Sequence, residues 1–283
     1  MTPGVSTTSL PWRIVAIDKS HLELLVRQHI DKYTDTCDLN HIDVSRVTDM
    51  SKLFAHSFFT GDISQWDVSG VTDMDRMFSG SVFDDNIANW DVSNVQCMDG
   101  MFSASYFSGN LAHWNTGMVQ SMDRMFQGAR FNSSIGGWNV ERCTDFSSMF
   151  ADSRFNQDIS GWDMRLAQQV GYMFYDCPFA HDLSRWELPL SCRMLNMLYP
   201  DSPGMKAQRS ADWHAKLHLD NGSLPLPGLL LNAFHELRSI HDALGSTNEE
   251  RARDLVRAVV AKRQGKGAWP TEGESWAIDG LVS

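Results

Sequence analysis

Large apolar residues recur along this chain at a fixed step. Trp66, Trp90, Trp114, Trp138, Trp162 and Trp186 stand 24 residues apart without a slip. Phe59, Phe83, Phe107, Phe131, Phe155 and Phe179 hold the same step, as do Phe54, Phe78, Phe102, Phe126, Phe150 and Phe174. An aliphatic column (Ile63, Ile87, Leu111, Ile135, Ile159, Leu183) runs between them. Written as one unit the pattern is F-x-x-[DNS]-[IL]-x-x-W-[DNE]-x-x-x-x-x-x-[MFV]-x-x-M-F-x-x-x-x. Six full copies, with partial ones at each end, span about Thr34 to Pro200. A period in this range marks a stacked repeat array, because one copy alone cannot bury its large residues. Stacking predicts continuous columns of Trp on Trp and Phe on Phe. Two short extended segments per unit are expected, near F-x-x-D-I and V-x-x-M, with neighbouring coils at about the 4.8 Å strand spacing. The polar residue after each Trp (Asp67, Asp91, Asn115, Asn139, Asp163, Glu187) suits a turn in which the side chain bonds nearby backbone.

The ends differ from the middle. Ile14, Val15 and Ile17 read as a short strand, and Asp18 precedes the amphipathic stretch HLELLVRQHIDKY, which reads as one helix. Residues 1–34 are therefore expected to cap the array, since an open stack exposes apolar edges. Beyond residue 200, PGLLLNAFHELRSIHDAL (Pro227 to Leu244) has helical spacing. Ser246 and Glu249 form a capping box for a second helix, EERARDLVRAVVAKR, so an αα-hairpin is expected there. Trp269 and Trp276 in the irregular last stretch are expected to pack back on the protein. The expected fold class is a mixed β/α repeat solenoid, divided into a cap (1–34), 24-residue repeats (35–200) and a helical C-terminal region (201–283).

The repeat also carries a family resemblance. F-N-x-D-I-S-x-W-D-V-S-x-V-T-D-M-x-x-M-F resembles the repeat of BspA-like leucine-rich repeat surface proteins, in its tryptophan-and-methionine form. Phe155, Asn156, Asp158, Ile159 and Trp162, and Val71, Thr72, Asp73, Met74, Met77 and Phe78, are matching positions. The resemblance implies a right-handed, leucine-rich-repeat-like solenoid that binds proteins or surfaces, and it implies no catalytic residues. The signal peptide and cell-wall anchor usual in that family are not expected from these residues.

Composition narrows the classes. At 42% hydrophobic and 21% charged residues the chain is neither disordered nor collagen-like. No apolar run approaches the ~20 residues of a membrane helix. The N-terminus lacks the basic and apolar regions of a Sec signal, so a cytoplasmic protein, or one exported by a non-Sec route, is expected. The net charge of −11 lies wholly in residues 35–200, with 21 acids against 10 bases, and argues against a nucleic-acid partner. Five cysteines without a C-x-x-C pair suit a reducing compartment and five free thiols.

Candidate chemistry is sparse. His214 and His218 are four apart, but no H-E-x-x-H order or third ligand accompanies them, so no metal or other cofactor is expected. No G-x-S-x-G or phosphate loop occurs, and residues 201–283 hold no cysteine for a thioester mechanism, so no enzyme is expected. What varies between copies is the informative part. The Phe58 position becomes Val82, Tyr106, Arg130, Arg154 and Pro178; the Gly61 position becomes Asp85, Gly109, Ser133, Gln157 and His181; the Gln65 position includes His113. Core columns cannot wander so widely, so all three are expected to face solvent. Asp85, Tyr106, His113, Arg130, Arg154 and Gln157 are the candidate partner-binding residues, with the acidic column Asp75, Asp99 and Asp123 as the other candidate face. The expected function is a non-enzymatic scaffold for a protein partner, with no nucleic acid and no membrane span. The alternatives are a bacterial effector whose activity lies in the C-terminal helices, and an acidic inhibitor occupying a basic, nucleic-acid-type site.

Overall fold

A computed structural model describes residues 13–189, 191–198 and 203. All lie in the first of the chain's two compact units, Met1–Ser223. The expected αα-hairpin, the His214/His218 pair, Trp269 and Trp276 lie outside the described residues.

The described chain opens with strand β1 (Ile14–Val15), helix α1 (Lys19–Tyr33) and strand β2 (Ile42–Asp43). Asp18 caps α1, its carboxylate accepting the His21 N–H at 2.8 Å, which satisfies one of the orphan amides of the first turn. Leu22, Leu25 and Val26, at helical spacing, bury one face of α1. β1 pairs in parallel with β2, Ile14 opposite Ile42. Leu22, Leu25, Val26 and Ile42 belong to the same hydrophobic cluster as the repeat residues, so α1, β2 and the repeats share one core.

After β2 each 24-residue unit is built of turns and irregular segments. A parallel bridge joins each unit to the next at one position, in the series Asp49, Asp73, Cys97, Ser121, Asp145, Gln169 and Arg193. This is the V-x-x-M segment expected to be extended. The F-x-x-D-I segment forms no such bridge among the described residues. Side chains replace the ladder there: Ser108 N–H donates to Asp84, Asn156 N–H to Asn132 and Ala180 N–H to Asn156, each from one unit to the preceding one.

The M-x-x-M-F stretch is held differently again. Met74, Arg76, Phe78 and Gly80 each donate an amide to a carbonyl of the following unit (Cys97, Asp99, Met101 and Ser103) at 2.7–3.0 Å. Between these amides the chain coils, Met77 N–H bonding Met74 O and Ser79 N–H bonding Arg76 O, and two residues per unit are left-handed. Lys52, Arg76, Gly100, Arg124, Ser148, Tyr172 and Asn196 have φ of 49–62°, and the register four residues on, from His56 to Asp176, has φ of 46–65°. A left-handed L-residue costs roughly 1–2 kcal/mol, which the repeated inter-unit hydrogen bonds offset.

The aromatic columns fill the interior. Trp66 to Trp186 are 3–4% exposed, and the Phe columns 0–1%. Every indole of the series has a partner: its N–H donates to the carbonyl 27 residues earlier (Leu39, Ile63, Ile87, Leu111, Ile135, Ile159) at 2.9–3.2 Å. The hydrogen bond lets so large a ring with a polar edge repeat in the core without an orphaned donor. Successive Phe rings stack nearly in parallel, as in Phe107 on Phe83 (6.4 Å, 2°) and Phe155 on Phe131 (6.3 Å, 3°).

The aspartate or asparagine after Trp bonds nearby backbone in the first five units; Glu187 in the sixth has Pro189, without an N–H, two residues on. Asp67, Asp91, Asn115, Asn139 and Asp163 accept the N–H two residues on at 3.0–3.2 Å. Cys37, Cys97, Cys143 and Cys177 are free thiols, and burial pushes the Cys97 thiol up to about 12, so it stays a protonated, unreactive thiol at neutral pH. Among the described residues no helix is long and apolar enough to cross a membrane.

Candidate functional site

The column Phe58, Val82, Tyr106, Arg130, Arg154 and Pro178 is positioned by its neighbours on both sides. The preceding residue is small: Ser105, Ala129 and Ser153 are buried at 2–5%. The following residue is the buried Phe of the core column. One outward residue between two inward ones is the alternation of an extended segment. The backbone is pinned as well, since Tyr106 N–H donates to Ser81 O and Ser105 and Ser153 hydroxyls accept the N–H of Phe107 and Phe155. The core thus aims a variable side chain outward once per unit.

Of the candidate residues, Tyr106, His113, Arg130 and Arg154 are exposed, while Asp85 and Gln157 are half-buried. The structure brings Tyr106 and Arg130 together: the guanidinium lies 4.1 Å from the centre of the tyrosine ring, one unit away. Gln157 donates to Asn132 at 3.2 Å, and Asp85 accepts the Asn86 N–H at 2.7 Å, so both are partly occupied within the fold. His113 makes no contact with this group among the described residues. Arg130 and Arg154 have no ion-pair partner among the described residues, whereas Arg76, Arg124 and Arg165 each pair with an aspartate.

The Gly61 column does not face solvent throughout. Gly61 is buried, and a Cβ there would lie 2.0 Å from the Cys37 carbonyl oxygen. The chain leaving α1 turns tightly, with Cys37 N–H on Thr34 O, and lays that carbonyl on the first full unit. The later units have no such neighbour. Sequence reasoning also passed over an outward column that includes Met118, Arg142 and Leu166, of which Leu166 is 59% exposed. Its signal was the same variability between copies.

The acidic face is only partly free. Asp75 lies near Arg76 and Lys52, Asp99 accepts the Ser121 hydroxyl and the Asp123 N–H, and Asp123 pairs with Arg124 at 2.7 Å. One oxygen of Asp123 is buried without a hydrogen bond. Burial raises its carboxyl to about 6, with Asp145 and Asp99 adding to the rise and Arg124 opposing it. A folded pKa above the ordinary value of 3.8 means that the contribution to stability is present below pH 3.8 and is lost as pH rises through about 6. Asp123→Asn should therefore stabilise the protein above pH 6 by about 1 kcal/mol, the full linkage value being reduced because the group is half-exposed. Urea unfolding should show the gain at neutral pH and none near pH 4; an equal gain at both would remove the carboxylate explanation. Among the described residues no three His, Cys, Asp or Glu side chains converge as metal ligands would.

Two stretches of the chain, residues 26–130 and 103–210, match the model of the family described as "Mycoplasma protein of unknown function, DUF285". No curated protein and no solved structure matches. The two family matches overlap and together take in the whole repeat region and most of α1, well over half of the chain. The chain is a repeat protein and belongs to the DUF285 family.

Proposed function

We propose that this protein is a non-enzymatic scaffold that holds a protein partner through the outward, variable columns of a right-handed, leucine-rich-repeat-like solenoid of the BspA-like kind. One observation carries the reading. The apolar residues that repeat between units are buried to within a few percent, while Tyr106, Arg130 and Arg154 stand exposed and the two arginines have no ion-pair partner among the described residues. A fold that assigns stability to one set of positions leaves the other set free to recognise something. Aromatic and arginine side chains on a rigid support are the residues that most often dominate binding energy.

The test is the variant carrying Tyr106→Ala, Arg130→Ala and Arg154→Ala. Exposed positions usually matter within about ±0.5 kcal/mol each, so its melting temperature should stay near that of the parent. Capture of the natural partner, identified by cross-linking and mass spectrometry in the source cells, should weaken at least tenfold, or about 1.4 kcal/mol. Unchanged capture would place the working face elsewhere, and loss of activity only on truncation at Pro203 would favour the effector reading.

A further inference from the structure

We infer that the column from Phe58 to Arg154 receives an extended peptide segment with acidic side chains two residues apart, followed at the same interval by apolar ones. The inference rests on the scaffold reading and gives the partner a chemistry.

The spacing comes first. The Phe rings adjacent to the column step by 6.2–6.4 Å from Phe59 to Phe155. Same-face side chains of an extended chain repeat every two residues, at about 6.4–6.8 Å. Four residues of an α-helix rise about 6 Å, but they also turn about 40° past a full circle, so a helix leaves a straight line within a few steps. Successive rings of the adjacent core column are inclined by only 2–11°, so each unit is little rotated against the last. An extended segment laid across the units stays in step with it.

The charge pattern comes second. Arg130 and Arg154 are neighbours in the column, have no acid partner among the described residues, and belong to a chain of net charge −11. Like charges one unit apart repel, and a pair of carboxylates at the same interval would relieve both while taking the two-pronged hydrogen bonds that guanidinium groups offer. Tyr106 holds the Arg130 guanidinium against its ring, which reduces the freedom lost on binding. At the other end Phe58 is 73% exposed and Val82 half-buried, an apolar continuation of the same line. Acid, acid, then apolar is the order that this line reads.

The experiment uses the full chain and a labelled synthetic peptide with two glutamates two residues apart, then leucines at the same interval, serine and glycine filling the gaps. The same peptide is made in reverse order, since the line can be read in either direction. Fluorescence anisotropy should show saturable binding of one of the two, weakening as salt rises. Arg130→Ala with Arg154→Ala should weaken it at least tenfold, and Phe58→Ala should weaken it severalfold, with melting temperatures near the parent's. A peptide of the same composition with its glutamates adjacent should bind at least tenfold more weakly. Failure of both directions to bind, equal binding of the rearranged peptide, or indifference to the arginine pair overturns the inference. Loss of natural-partner capture by the triple variant would then still uphold the scaffold and assign it a partner of other chemistry. Unchanged capture would remove the scaffold face itself.

Discussion

Replacing Trp114 by alanine is expected to destabilise the protein by about 3–5 kcal/mol, the range for removing a large buried aromatic side chain. The ring is 3% exposed, contacts Phe102 at 6.3 Å between centroids, and donates its N–H to Ile87 O at 3.1 Å. Alanine leaves a cavity in the middle of a continuous core, where neighbouring units cannot collapse inward without breaking their own registers, and Ile87 O keeps only the Trp90 N–H. Against a typical total of about 5–15 kcal/mol, this is a large fraction. Trp114→Phe keeps a six-membered ring and loses the hydrogen bond with a smaller part of the ring system, so it should cost less, about 1–2 kcal/mol. Urea unfolding of both variants checks the order. An alanine variant that melts within a degree or two of the parent would contradict the stacked core.

Gly61→Ala is expected to cost about 1–3 kcal/mol or more, the cost of overpacking a site whose neighbours cannot move aside. The new Cβ would meet the Cys37 carbonyl oxygen at 2.0 Å and the Phe59 ring at 2.7 Å. The first is backbone at the junction of α1 and the repeats, so relief requires displacing that junction. Gly137→Ala is the control: nothing lies within 4 Å of its Cβ, and it should change stability by less than about 0.5 kcal/mol. Thermal melting compares the two directly. Equal effects would mean that the Cys37 carbonyl does not lie over Gly61 in solution.

These two positions mark what could and could not be read from the sequence. Trp114 was legible because each unit must solve the same packing problem at the same place, so a buried position repeats its residue type. The aspartate or asparagine after each Trp was legible for a local reason: its side chain bonds an amide two residues on, as at Asp91 and Ser93. The shared register of Tyr106, Arg130 and Arg154 followed from counting by 24. That Arg130 stacks on Tyr106 did not, because the contact depends on how closely the units approach.

Gly61 was misread because variability along a column reports the average environment, and the first unit has a neighbour that the others lack. The left-handed residues were invisible for a related reason. Lys52, Arg76, Arg124 and Tyr172 have no intrinsic preference for positive φ; they adopt it in a stretch that is coiled into turns and also held to the next unit by amide–carbonyl bonds. Asp123 reads as an ordinary surface acid until the fold sets Asp99 and Asp145 nearby and buries one of its oxygens. By itself the sequence determined the period, the identity of the core columns and the local Asx turns, since these depend on residue type and short-range geometry. The tertiary structure alone decided the single bridge per unit, the left-handed turns, the closed position at Gly61 and the pairing of Arg130 with Tyr106. Each of these is set by hydrogen bonds and contacts between units, which no single unit encodes.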